Sequence, residues 1–237
     1  MSTGIQRGSL RTFGQVVSAA LVAALFTVSP IVPQAPAEAA GDLGWNSEID
    51  YYHSNSGTSF WTSSEQVIPS DGTFTVEGWA FSEDMDVNNI LISQGNAETF
   101  YIKLVNGALI YHVDGLEKTC APVGSISTDE WFHFAVTANS TTHACYLNGQ
   151  LAASNTGTVG SFFVSGTHGF HVGALSRDQA EHTIGGVDQV KIWDSALIEA
   201  QVRTSMHSLG SGGISNPSLL HNYDFNEGSG SVAYDRV

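Results

Sequence analysis

Short runs in which apolar and polar positions alternate recur along the chain, each bounded by Gly, Pro, Asn, Asp or Ser. Thr73-Phe74-Thr75-Val76-Glu77-Gly78-Trp79, Asn89-Ile90-Leu91-Ile92-Ser93 and Phe100-Tyr101-Ile102-Lys103-Leu104-Val105 each predict a strand with one buried face. Asn106-Gly107 joins the third run to Ala108-Leu109-Ile110-Tyr111-His112-Val113. Asn-Gly between alternating runs predicts a hairpin, because the twist-matched two-residue turn needs positive φ at both positions. Trp131 to Thr137 turns through Asn139–Thr142 into His143–Leu147, a second hairpin, and Asn148-Gly149 marks a further tight turn. Val187 to Trp193 reads as another strand, Ile198 to Ser208 as a short helix, 208–216 as a Gly/Ser-rich linker, and 219–225 as a last strand. A succession of strands with one brief helix predicts an all-β, two-sheet antiparallel sandwich, since each sheet must bury a face against another layer. No self-similar period of about 20 to 50 residues is present, which argues against a propeller or solenoid.

The first forty residues differ in kind. Arg7 and Arg11 precede an almost wholly apolar stretch from Val16 to Val32, and Ala37-Glu38-Ala39 places small residues at −3 and −1 of a cut after Ala39. This is the pattern of a secretory signal peptide over 1–39. A retained anchor is the alternative, but Pro30, Pro33 and Pro36 crowd the end of the run and leave it short of a span of about 20 residues. The expectation is a secreted, extracellular protein whose domain occupies 41–237, with no membrane insertion after signal cleavage.

Composition narrows the partners. Lys and Arg total 8 against 23 Asp and Glu, a formal charge of −15, so phosphate backbones and anionic lipid are repelled and nucleic acid binding is excluded. Three lysines, 25 glycines and abundant Ser, Thr and Asn suit turn-rich β structure over a helical bundle. In an exported chain the two cysteines, Cys120 and Cys145, invite one disulfide, with two buried thiols as the alternative.

Five segments together resemble the LamG-like jelly-roll domains, relatives of laminin G, pentraxins and concanavalin A-like lectins. They are Leu43-x-Trp45-Asn46-Ser47-x-x-Asp50-Tyr51, Phe74-Thr75-Val76-Glu77-Gly78-Trp79, Glu130-Trp131-Phe132-His133-Phe134-Ala135-Val136-Thr137, Tyr146-Leu147-Asn148-Gly149-Gln150-Leu151, and Gly186-Val187-Asp188-Gln189-Val190-Lys191-Ile192-Trp193-Asp194-Ser195-Ala196-Leu197. They stand in the family's order and cover most of Leu43 to Asp235. The tail Tyr223-Asp224-Phe225-Asn226-Glu227-Gly228-Ser229-Gly230 also resembles a signature that opens such domains, so this strand either closes the sandwich, the favoured reading, or announces a longer tandem array. Pentraxins bridge two cysteines whose positions here correspond to Glu77 and Ala135, with Ala138 where their motif carries Trp, so the chain departs from pentraxins proper.

The resemblance implies a possible structural Ca²⁺ at Asp188, completed by Asp50 and the carbonyl of Ser47, with a turn cap formed by Asp188 as the alternative. Asp84, Asp86, Asn88 and Asn89 form a second oxygen-rich cluster, favoured as an ordinary turn. His168, His171 and His182 are spaced too loosely for zinc, and His112 and His133 read as lining or edge residues. Trp79, Trp131 and Trp193 belong to strands and the core, leaving Tyr52 and Trp61 as exposed aromatics for stacking on a sugar. Paired carboxylates of a glycosidase are not seen in one strand, Glu83-Asp84-x-Asp86 falling in a loop, and the motifs of serine, metal or phosphate chemistry are missing. The reading is therefore a non-catalytic binding or adhesion module for an extracellular glycan or protein. A glycan-cleaving enzyme of the same fold and a structural spacer are the alternatives.

Overall fold

The structure, a computed structural model, describes residues 52–54, 60–63, 65–95, 100–113, 115–156, 169–176, 181–209, 219–227 and 232–237. In chain order the strands are β1 (Tyr52–Ser54), β2 (Trp61–Thr62), β3 (Phe74–Ser82), β4 (Asn89–Gln94), β5 (Phe100–Val105), β6 (Ala108–Val113), β7 (Leu116–Ala121), β8 (Phe132–Ala138), β9 (Thr142–Leu147), β10 (Gln150–Thr156), β11 (Phe170–Val172), β12 (Gly185–Trp193) and β13 (Leu219–Tyr223), with helix α1 (Glu199–Ser205) before the last. They form a seven-stranded sheet, β1-β12-β3-β8-β9-β10 with β13 also on β12, and a six-stranded sheet, β2-β11-β4-β5-β6-β7. Every named strand pair is antiparallel.

Alternation decides which side chains meet between the sheets. In β5, Phe100, Ile102 and Leu104 are buried and Tyr101, Lys103 and Val105 half-buried. The first three join Val76, Phe134, Val136, Phe170 and Ile192 in the shared core, where Phe74 and Phe100 meet edge to face at 5.5 Å. The Asn-Gly turns form as the sequence predicts: Asn106 and Gly107 have φ of 51° and 71°, Asn148 and Gly149 of 51° and 73°. A β carbon on Gly107 would also lie 2.6 Å from the Ile126 carbonyl oxygen, so the position excludes a side chain on two counts.

The helix is shorter than the sequence suggests, ending at Ser205, and its start is held by the Gln201 side chain accepting the Ile198 N–H at 3.0 Å. Residues 194–208 form a strap over the outward side of the seven-stranded sheet. Thr75 Oγ1 donates to the Ser195 carbonyl at 2.6 Å and accepts the Leu197 N–H at 2.9 Å, and Trp79 Nε1 donates to the Met206 carbonyl at 3.0 Å. Beneath the strap lies a buried charged cluster. Glu77, 1% exposed, accepts hydrogen bonds on Oε1 from Trp193 Nε1 at 2.9 Å and from the Ser205 hydroxyl. His133 Nε2 stands 3.3 Å from Glu77 Oε2, an ion-pair distance without the alignment of a hydrogen bond. Lys191 Nζ donates to the Ser205 carbonyl at 2.7 Å and to that of Ser208.

The register explains the cluster: Glu77 lies opposite Lys191 on one side and Ala135 on the other. The two positions that the resemblance sets against the paired cysteines of pentraxins are thus direct neighbours on β3 and β8. His133 is not a lining or edge residue, as its strand pattern suggests, but sits on the central strand β8, 1% exposed. Burial holds its imidazole below the ordinary value, against the attraction of Glu77. For Glu77, burial alone pushes the carboxyl up, yet His133, Lys191 and Ser205 outweigh it and hold the group low. Burial lowers Lys191 as well, opposed by Glu77 and Asp188.

The cysteines are bridged. Cys120 on β7 and Cys145 on β9 have α carbons 5.7 Å apart, so the link joins an edge strand of one sheet to an inner strand of the other. The last strand adds to β12 within the seven-stranded sheet. Trp61 is a correction: instead of standing exposed it packs on Tyr223 at 4.8 Å and on Phe170 and Phe225 at 6.2 Å, against the core. Trp79, Trp131 and Trp193 are buried as expected.

Two outcomes are expected. Replacing Cys120 and Cys145 by Ala lowers unfolding free energy by about 3 kcal/mol, for a closed loop of 25 residues, and the native protein shows no free thiol when unfolded without reductant. Acid destabilises the fold: His133, His143 and His182 all titrate below their ordinary value when folded, so the unfolded chain takes up protons first as pH falls below about 6.5. The stabilisation that Glu77 contributes above its ordinary carboxyl range is lost at still lower pH. The melting temperature therefore drops between neutral pH and about pH 5, and His133→Gln reduces that slope; a flat profile would exclude this account.

Candidate functional site

The strap covers the outward side of the seven-stranded sheet around β3, β12 and His133 of β8, and the outward side of the six-stranded sheet carries a row of polar and aromatic side chains. Register lines up one row of side chains across all six strands: Thr62, His171, Ser93, Tyr101, His112 and Glu117. Ser93 is closed over. Its hydroxyl donates to the Ala174 carbonyl at 2.7 Å and accepts the Ser176 N–H at 2.8 Å. The segment 174–176 thereby divides the row into two patches.

The first patch is built on β5, β6 and β7. Tyr101 stacks on His112 with ring centres 4.8 Å apart and planes 17° from parallel. Its hydroxyl donates to Glu117 Oε2 at 2.5 Å, and Lys103 Nζ approaches the same oxygen at 3.0 Å while lying 5.0 Å over the Tyr101 ring. Ile110 and Thr119 follow in the adjacent register positions. The Glu117 side chain is 48% exposed, so the platform is open at its acidic end. The phenol of Tyr101 is pushed far up by burial, by its bond to Glu117 and by the charges of Glu117 and Glu181, and stays a donor at any working pH. Glu117 is held below the ordinary range, first by the Tyr101 hydroxyl and then by Lys103, against partial burial. A half-buried aromatic ring, a fixed carboxylate that accepts and an ammonium that donates thus stand together on one side of the sheet.

The second patch is aromatic. Phe60 stacks on His171 at 5.7 Å and lies 5.7 Å from His182 in a tilted arrangement. His171 Nδ1 is near Thr62 Oγ1 at 3.4 Å and the Gly169 carbonyl at 3.2 Å, which occupies that nitrogen in the local fold. His168 lies outside the described residues.

The sequence-predicted metal positions are only partly in view. Asp188 is half-buried on β12, where an extra residue lies between Asp188, opposite Trp79, and Lys191, opposite Glu77. Its Oδ1 accepts the Gln189 N–H at 2.7 Å, and Gln189 has a φ of 48°. Ser47, Asp50 and Tyr51 lie outside the described residues, as does the side chain of Tyr52. Among the described residues no three His, Cys, Asp or Glu gather closely enough to hold a metal. Asp84, Asp86 and Asn89 form the ordinary turn that the sequence favours: Asp84 Oδ1 caps the Asp86 N–H at 2.9 Å, and buried Asn89 bonds the Asp84 carbonyl at 2.6 Å and the Ile184 N–H at 2.8 Å. Among the described residues no helix is long and apolar enough to cross a membrane.

The sequence places Tyr101 and Lys103 on a strand without assigning them a role, and His112, which it reads as a lining or edge residue, is buried on β6 between β5 and β7. The half-buried positions of Phe100–Val105 were the available signal. Glu117 was out of reach because β7, with Glu117, Lys118 and Thr119 in its middle, lacks an apolar alternation.

Comparison with known proteins places this arrangement in context. Sushi, von Willebrand factor type A, EGF and pentraxin domain-containing protein 1 of Rattus norvegicus is 33% identical over 153 residues, 58% of this chain, and the chain spans only 4% of that relative's length. A candidate carbohydrate binding protein from Bacteroides ovatus has the same fold, with a TM-score of 0.61 at 18% identity over 75% of this chain and 52% of that one. So does the Ruminococcus gnavus IT-sialidase CBM40, with a TM-score of 0.54 at 14% identity over 64% of this chain and 94% of that one, a module also solved with α2,3-sialyllactose bound. A laminin G family model, described as the Concanavalin A-like lectin/glucanases superfamily, matches residues 55–203, and the chain belongs to that family.

Proposed function

We propose that this chain is a secreted, non-catalytic glycan-binding module whose ligand rests on the outward side of the six-stranded sheet. The observation that carries the reading is the platform of Tyr101, Lys103, His112 and Glu117, on the sheet opposite the one the strap covers. The half-buried Tyr101 ring, its angle fixed by His112 and with Lys103 over it, offers apolar surface to a sugar, while Glu117 and Lys103 hold each other ready to bond sugar hydroxyls. Because Tyr101 and His112 stand on regular, hydrogen-bonded strands, little side-chain freedom is lost on binding. The carbohydrate-binding modules that share this fold support the reading, as does the signal-like leader for export.

A structural Ca²⁺ at Asp188 forms the second part of the proposal. Asp188 offers a hard carboxylate oxygen. Tyr52 pairs opposite Val187, the residue before it, and Ser47 and Asp50 precede Tyr52 by only a few residues in sequence. The ion would bind the first strand to β12 and add stability; the chain's remaining residues perform the recognition.

Tyr101→Ala should lower glycan affinity by about tenfold or more, a stacking contribution of roughly 1 to 3 kcal/mol, and leave the melting temperature nearly unchanged, both read on a glycan array and by thermal unfolding. Unaltered array binding would move the ligand off this face. For the ion, calcium should raise the melting temperature by mass action, and Asp188→Asn should abolish that rise; an equal loss of stability in calcium and in chelator would leave Asp188 a turn residue.

A further inference from the structure

We infer that the platform selects uncharged glycans and rejects acidic ones such as sialylated, uronic or sulfated chains; this rests on the glycan-binding reading above. An inventory of cations leads there. The chain has 8 Lys and Arg in all, of which Arg7, Arg11 and Arg177 lie outside the described residues. Each of the five described is engaged or turned away. Lys191 is buried beneath the strap on the Ser205 and Ser208 carbonyls. Arg203 belongs to α1 and faces Glu199 at 3.9 Å, and Arg236 is held by Asp224 at 2.9 Å and Glu227 at 3.1 Å. Lys118 follows Glu117 on β7 and pairs opposite Tyr111, whose ring is in the core, so it alternates away from the platform.

That leaves Lys103, and its ammonium is already matched to Glu117 at 3.0 Å. A second carboxylate, exposed Glu181, is near enough for its charge to act on Tyr101. Among the described residues the charged groups that act on the ring or on Glu117 are therefore one ammonium and two carboxylates, with the His112 imidazole, stacked on the ring, as the remaining titratable group. An anionic sugar would have to displace Glu117 from Lys103 or stand beside uncompensated negative charge, within the field of a chain carrying −15. Hydroxyls meet no such obstacle, since Glu117 accepts and Lys103 donates while their own pairing persists. The likeness in fold to a module solved with sialyllactose therefore does not extend to charge preference.

The test is an array of matched pairs probed with the whole chain from Ala40 onward, each neutral oligosaccharide beside the same chain with a terminal acid, lactose and α2,3-sialyllactose among them. Acidic members should bind at least about fivefold more weakly, the effect of one like charge at contact distance in a watery site, and high salt should narrow the gap. Glu117→Gln frees Lys103, so it should raise binding of the acidic member relative to the neutral one. Acidic members bound as well as or better than their neutral partners would overturn the inference and keep the glycan reading, and loss of that binding in Arg177→Gln would identify the cation. Neutral binding that survives Tyr101→Ala would also overturn it, because the ligand would then sit outside this charge field. An array with no bound member at all would overturn the glycan reading itself.

Discussion

A carboxylate buried under a helix organises this molecule. Glu77 on β3 gathers the Trp193 indole, the Ser205 hydroxyl and the His133 imidazole around one side chain, and Lys191 beside it grips the end of the helix through two carbonyls. An isolated buried charge costs several kcal/mol, and loss of one partner leaves the others uncompensated. The cluster is consequently all or nothing, and it fixes the strap on one sheet.

The division of labour follows from the sandwich itself. Two inward faces supply the apolar core, and alternation obliges every second residue to point outward. On the seven-stranded sheet those outward positions, Thr75, Glu77 and Trp79, are spent on the strap. On the six-stranded sheet the equivalent positions, Tyr101, Lys103 and His112, meet solvent or each other. The same pleat thus gives one sheet a strap fastened across its middle, and gives β5 to β7 of the other a group of side chains that bond chiefly among themselves.

How much of this could be read beforehand depended on whether a signal was local. Strands β5 and β6 announce themselves by alternation and by Asn106-Gly107, whose positive φ values the turn requires. Strand β10 was missed: Gln150–Thr156 is almost entirely solvent-facing, so no apolar rhythm marks it, and its place is set by pairing with β9. Strand β7 hides for the same reason, and with it Glu117. Trp61 was misread because its neighbours, Tyr223 and Phe225, lie some 160 residues away in sequence. His133 shows the converse, since nothing within its own strand reveals that Glu77 waits on the next one.

The pairing of β1 and β13 along one edge of β12 has a geometric sequel. Tyr52, where β1 starts, is opposite Val187, and Tyr223, where β13 finishes, is opposite Val190. The sheet's beginning and its end therefore converge on the irregular step at Asp188, only about 10 Å apart at the usual rise per residue. Two strands some 170 residues apart in sequence thus share one edge of β12, so a backbone shift at the extra residue after Asp188 disturbs the pairing of both.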